Sequence, residues 1–208
     1  PKHTRLEDAF EILANATEFP ILLSESFDCM AGGAAGDSTH MIRGMIEHGI
    51  SGVLIAHYWD PMAVDIALKA GEGMRLPMRI GGKSGPLAGD PIDMEVEVIK
   101  AIKGLTLKDG DNTYDFGDVA LVRGHGIEIA LNARRDRNIG PDYFTALGRD
   151  PWESKIWVIK GAAGPAMREK AALYLNLDGP GGNCADVNSF DYKNIGRPKW
   201  PFDENPFE

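Results

Sequence analysis

Residues 21–56 read ILLSESFDCMAGGAAGDSTHMIRGMIEHGISGVLIA, and the periodicities in this stretch decide the fold. The short apolar run Ile21, Leu22, Leu23 has the form of a buried strand, and a glycine-rich turn over residues 31–36 follows it. Met41, Ile42, Met45 and Ile46 then recur at helical spacing, and Gly49 supplies the left-handed residue that stops a helix. Asp37 stands where a cap for that helix is expected. Residues 53–56 form a second buried-strand pattern. Strand, helix and strand at this separation match a right-handed βαβ unit, which predicts two parallel, neighbouring strands. Ligands of open α/β sheets gather at the C-terminal ends of such strands. That edge here comprises residues 24–37, residues 57–60 and the loop that begins Gly81, Gly82, Lys83.

Toward the N-terminus, Thr4 and Glu7 have capping-box spacing, and Leu6, Phe10 and Leu13 lie on one helical face that Pro20 ends. Asp60 and Pro61 are the cap and first-turn pair of a third helix, which Gly71 closes. After residue 90 the period changes: Met94, Val96 and Val98 alternate with Glu95 and Glu97 as in a half-exposed strand. Turn residues at 109–112, and Gly124, His125 and Gly126 between the β-rich runs 119–122 and 127–131, predict antiparallel hairpins. Residues 141–147 read as a helix, 156–159 as a buried strand, 165–172 as a helix and 173–177 as a last strand. The composition then turns to Gly, Pro, Asn and aromatics, predicting an extended tail over about 179–208 with Trp200 and Phe202 as anchors. The expected fold is α/β, a mixed sheet with an N-terminal parallel βαβ part and a β-hairpin-rich second half. One domain over 1–208 is the simplest account, since no repeat or linker interrupts it.

Composition narrows the function. With 43% hydrophobic residues the chain can bury a substantial core, yet no apolar run reaches the roughly 18–20 residues of a membrane span. A net charge of −9 with scattered Lys and Arg disfavours a nucleic-acid partner. The chain opens Pro1, Lys2, His3 without the regions of a secretory signal, and its two cysteines, Cys29 and Cys184, are too few for a disulfide scaffold. A reducing, cytoplasmic location is expected.

The strongest local signal is the segment Gly32, Gly33, Ala34, Ala35, Gly36, Asp37, Ser38, Thr39, where a strand hands over to a helix and backbone amides can face an anionic or carbonyl ligand. The alternative is an ordinary tight turn with an Asp cap. No dinucleotide fingerprint or Walker lysine is present. Lys83, between Gly82 and Ser84, can neutralise a carboxylate or polarise a carbonyl, or simply be solvated. Arg134 and Arg135 can clamp an acidic group or make surface ion pairs. None of the five histidines has the H-E-x-x-H spacing of a catalytic zinc; His57 with Asp60 is the most suggestive pair. Cys29 is read as a small buried thiol with a nucleophile as its alternative, and no G-x-S-x-G supports a serine hydrolase.

Taken in order along the chain, these loops resemble a known family, the C-terminal domain of the microcystinase C type of metallopeptidases. Residues 28–39 are similar to its Asp-Asn-Pro-Gly-Gly-Gly-x-Pro-Gly-Asp-x-Thr stretch, with Gly32, Gly33, Gly36, Asp37 and Thr39 in register. Trp59, Asp60 and Pro61 fit, as do Gly81, Gly82, Lys83, Gly85, Pro86, Gly89 and Pro91. Phe116, Gly117 and Asp118, then Arg134 and Arg135, resemble its hairpin, and Arg197, Pro198, Trp200 and Pro201 its closing segment. The departures are Cys29 and Met30 in place of Asn and Pro, and Gly164, Pro165 and Ala166 where the family carries His-Phe-Arg.

This resemblance implies zinc, bound by Asp and His residues of a preceding N-terminal domain with no counterpart in this chain, so no metal ligand is expected here. The chain is then one wall of the substrate cleft of an amide or peptide hydrolase, partnered by that metal-binding domain or a separate subunit, with an oligomer expected. Catalytic roles fall to Asp37 and Lys83, and substrate contacts to Asp28, Gly32, Gly33, Ser38, Thr39, Asp60, Gly82 and Arg134. Two alternatives stay open: a non-catalytic binding or assembly subunit that keeps the fold, and a metal-independent enzyme acting through Lys83 and Asp37.

Overall fold

The computed structural model describes residues 3–109, 111–135, 141–183, 188 and 190–205. Their nine strands form one mixed sheet, with β1 (Thr4–Arg5), β2 (Ile21–Glu25), β3 (Val53–Trp59), β4 (Arg75–Ile80), β5 (Ile92–Asp109), β6 (Asn112–Gly124), β7 (Ile127–Asn132), β8 (Ile156–Ile159) and β9 (Leu173–Asp178) in the order β1-β9-β2-β8-β3-β7-β6-β5-β4. From β1 to β7 in that order every pairing is parallel. From β7 to β4 every pairing is antiparallel; β5–β6 and β6–β7 are the predicted hairpins, and β4–β5 is a further pairing. The class is the expected mixed α/β. Gly110 of the first predicted turn lies outside the described residues, as do Pro1, Lys2 and Cys184.

The central strands are buried on both faces, which is why they read as continuous apolar runs. Strand alternation sends Ile21 and Leu23, Val53 and Ile55, Ile156 and Val158, and Ala120 and Val122 into one core. Leu22, Leu54, Trp157, Val119 and Leu121 enter the other. The first core is covered by α1 (Leu6–Ala14), α2 (His40–Glu47) and α3 (Pro61–Ala70), through Phe10, Met41, Met45 and Val64. The second is filled by Tyr143 and Phe144 of α4 (Pro141–Ala146), with Phe144 edge-on to Trp157. A last helix, α5 (Pro165–Lys170), precedes β9.

Four local expectations are corrected. The strands β2 and β3 are parallel but not neighbours, because β8 lies between them. A buried apolar strand from far downstream competes for the same central position, and the local βαβ pattern carries no information about it. The Thr4 capping box does not form: Thr4 pairs with Leu177, and Arg5 occupies the cap position without a side-chain bond. Asp37 does not cap α2, whose cap position is Thr39. Trp200 is 69% exposed, whereas Phe202 packs edge-on against Tyr192.

Candidate active site

The parallel strands end in polar side chains that are buried: Ser24 and Glu25 on β2, His57 on β3 and Asn132 on β7, with Asp28, Asp37, Ser38, Thr39 and Asp60 on the loops beyond. Carboxylates out of water require partners; Asp28, Asp37 and Asp60 each find several, while Glu25 is met by Lys160 at one oxygen and has no partner among the described residues at the other.

Asp28 accepts from the amides of Gly36 at 2.9 Å and Ser38 at 2.8 Å, and from Lys160 Nζ at 2.8 Å. Lys160, directly after β8, also donates to Glu25 Oε2 at 2.9 Å, and its side chain has no exposed surface. Burial pushes the Glu25 carboxyl up to about 7, against the opposing pull of the Lys160 charge and with the negative charge of Asp28 adding to the rise. Burial opposes the charge on Lys160, but the two carboxylates outweigh it and hold its proton more tightly than usual.

Asp37 joins the two predicted loops. Its Oδ2 accepts from the amides of Lys83 at 2.8 Å and Ser84 at 2.9 Å, and its Oδ1 from Ser84 Oγ at 2.5 Å. Its carbonyl accepts from Gly82 N and from Tyr58 Oη. Gly81 and Gly82 have φ of 63° and 62°, and a Cβ on Gly81 would collide with the Tyr58 hydroxyl, so the sharp turn requires glycine. Asp60 caps α3 through Ala63 N at 3.1 Å, as its sequence position predicts, while its other oxygen accepts from Gly81 N at 2.9 Å and Lys83 Nζ at 2.5 Å. Lys83 also donates to the Arg79 carbonyl at 2.8 Å, and its side chain is 27% exposed. Thr39 Oγ1 ties the far side by donating to the carbonyls of Ala88 and Asp90.

A bulge in β3 aims these groups. His57 has a φ of 56°, and the register with β7 shifts between Ile55 and Tyr58. The His57 ring lies beside Tyr143 and Phe116 in the second core, while Tyr58 returns to the first, where its hydroxyl donates beneath the loop of Asp37 and Ser38. Burial raises the Tyr58 hydroxyl well above its ordinary value, and the surrounding carboxylates add to the rise, so it stays a donor.

Above this layer opens a pocket of about 370 Å³ between residues 33–35 and residues 84–88, with Asp28, Arg135 and Gly182 completing its lining. Asn183 closes the glycine-rich turn from outside by donating to the Cys29 carbonyl at 2.6 Å. Most sequence-predicted residues therefore come together: Asp28, Gly32, Gly33, Asp37, Ser38, Thr39, Asp60, Gly82 and Lys83 share one edge. Arg134 instead pairs with Asp115 at 2.5 Å, and Arg135 lies over the Trp59 ring at 3.9 Å and lines the pocket. Glu25, Lys160 and Asn132 are additions; a buried lysine is indistinguishable in sequence from a solvated one until its strand is known to be central.

Among the described residues no three His, Cys, Asp or Glu side chains gather to hold a metal ion. Asp28, Asp37 and Asp60 already have lysine, amide or hydroxyl donors on their oxygens, and the His57 ring packs among aromatic rings. These residues do not fit a zinc ligand set. No described helix is long and apolar enough to cross a membrane.

Comparison with known proteins matches the family described as MlrC C-terminus over residues 23–194. Microcystinase C from Sphingomonas sp. is 28% identical over 197 residues, covering 93% of this chain but 38% of its own length. The crystal structure of "Putative metallopeptidase from Mesorhizobium sp. BNC1" superposes with a TM-score of 0.78 at 23% identity, over 98% of this chain and 42% of its own, and shares the fold. The chain thus spans well under half the length of both relatives.

Proposed function

The chain belongs to the MlrC C-terminus family, and from that premise we propose that it forms one wall of the substrate cleft of a zinc-dependent amide or peptide hydrolase. The metal is contributed by the portion of the longer relatives that lies outside the stretch matched here, in the same polypeptide or as a separate subunit. The observation that carries the reading is the cross-link at Asp37: one carboxylate holds the glycine-rich turn and the Gly-Gly-Lys loop together under an open pocket.

Amide hydrolysis requires a held carbonyl and stabilisation of the charge that grows on its oxygen. Lys83, partly exposed and oriented by Asp60 and the Arg79 carbonyl, supplies the positive charge. Asp37, with both oxygens engaged, acts as a positioning residue for Lys83 and Ser84. Asp28 holds the opposite loop through Gly36 and Ser38, leaving Gly33 on the pocket side, while the amides of Gly32 and Gly33 are taken by the carbonyls of Cys29 and Met30 and Gly32 lies under Asn183. The paucity of cysteine favours a reducing, cytoplasmic setting.

The test combines the full chain with a zinc-loaded polypeptide carrying the remaining portion of such a relative and follows hydrolysis of peptide amides. Turnover is expected only for the combination, lost on chelation and lowered at least about tenfold by Lys83→Ala. Silence of the combination assigns the chain to assembly instead. Chelator-resistant turnover by this chain alone, abolished by Lys83→Ala, establishes the metal-independent alternative.

A further inference from the structure

Arg135 borders the pocket with a charge that the described residues leave uncompensated. Lys83 is paired with Asp60, Lys160 with Glu25 and Asp28, and Arg134 with Asp115. Arg135 has no carboxylate partner among the described residues; its guanidinium lies over the Trp59 indole, 3.9 Å from the ring centroid. Stacking covers one face of a guanidinium while leaving its in-plane N–H groups free, and it lowers the conformational freedom lost when those donors engage a ligand.

The pocket has a matching character. Asp28, the acid in its lining, is 3% exposed, and its charge is met by Lys160 and two amides. The remaining walls join the short aliphatic side chains of Ala34, Ala35, Pro86, Leu87 and Ala88 to polar surface from Ser84 and the glycine backbone. The left-handed Gly33 and the positive-φ Gly85 have no atom within 4 Å of the point a Cβ would occupy, so the backbone there is open on the ligand side. A planar cation with no carboxylate partner among the described residues, beside short aliphatic side chains, is arranged for a planar anion with a short hydrocarbon body.

We propose that this pocket is a carboxylate-binding subsite, in which Arg135 takes the free carboxylate of a peptide substrate and residues 33–35 and 86–88 enclose the small aliphatic residue that bears it. Calling that ligand a substrate rests on the cleft-wall reading above; its binding does not. The neighbouring Arg134 takes no part.

The experiment is calorimetric titration of the full chain with N-acetyl-alanyl-alanine and with the C-terminal amide of the same dipeptide. The acid is expected to bind at least about tenfold more tightly than the amide. Arg135→Gln is expected to erase that difference and Arg135→Lys to reduce it, because an ammonium cannot form the two-pronged contact. Arg75→Gln, at the exposed start of β4 and absent from the pocket lining, serves as the charge control and is expected to retain the preference. Circular dichroism confirms that each variant is folded; Arg135 is exposed, so its replacement removes no core contact. Equal affinity for acid and amide, no measurable binding of either, or a preference that survives Arg135→Gln overturns the proposal. Acid preference through Arg135 without peptide turnover in the combined assay leaves the subsite standing and removes only the cleft-wall reading.

Discussion

In the antiparallel half of the sheet, Arg75 meets Glu97 across β4 and β5, and Arg79 meets Asp93 further along the same strand pair, with all four side chains reaching into solvent to some degree. In the parallel half, Lys160 meets Glu25 and Asp28 with 0% of its side chain exposed, and Lys83 meets an Asp60 that is itself buried. Each half pairs a basic side chain with a carboxylate, arginine in the first and lysine in the second, but the surroundings give the pairs different work. Exposed pairs exchange water for one another at little net gain. Buried ones cannot return to water, so each becomes a fixed strut between chain segments distant in sequence: β2 to the loop after β8, and the start of α3 to the loop after β4. The edge built from struts is where the backbone opens into a pocket.

The largest effect that could break this contrast comes from Lys160→Met. It leaves Glu25 and Asp28 facing one another without their shared cation, and a loss of about 3–5 kcal/mol in urea unfolding is expected. A loss no greater than that of a surface pair would mean that the triad is solvated and is no strut. A smaller effect sharpens the comparison through pH. The Glu25 carboxyl is raised from 4.5 in the unfolded chain to about 7 in the fold, so between those values the native state binds more protons than the unfolded state. Its contribution to stability is complete below about 4.5 and is lost as pH rises through about 7, a decline on the order of 1–3 kcal/mol. Urea midpoints measured across that window should fall with rising pH in the natural chain and lose that component in Glu25→Gln. At the small end, Arg79→Ala removes an exposed pair and should leave the urea midpoint unchanged within error.

A related contrast separates the two adjacent arginines after β7. Arg134 turns to the hairpin and pairs with Asp115; Arg135 turns to the edge and stacks on Trp59. Alternation predicts that consecutive side chains diverge, but β7 ends at Asn132, so the direction of each arginine is set by the loop rather than by the strand. Local pattern treats the two positions alike, and only the path of the loop brings Arg135, rather than Arg134, to the pocket lining.

Much of the molecule was legible residue by residue. The apolar runs of β2, β3 and β8, the helical faces of α1 and α2, the Asp60–Pro61 start of α3 and the left-handed turn at His125 and Gly126 follow from periodicity and backbone sterics, which act over a few neighbours. The glycine pairs at 32–33 and 81–82 likewise announced loops at one edge. Long-range pairing settled the rest. β8 enters between β2 and β3, Thr4 joins a strand instead of capping a helix, and Asp37 gives its oxygens to Lys83 and Ser84 rather than to α2. Asp37 had a local partner available and distant ones that also removed it from water. Burial makes the distant partnership the stronger one, and burial is a property of the packed chain, absent from any short stretch of it.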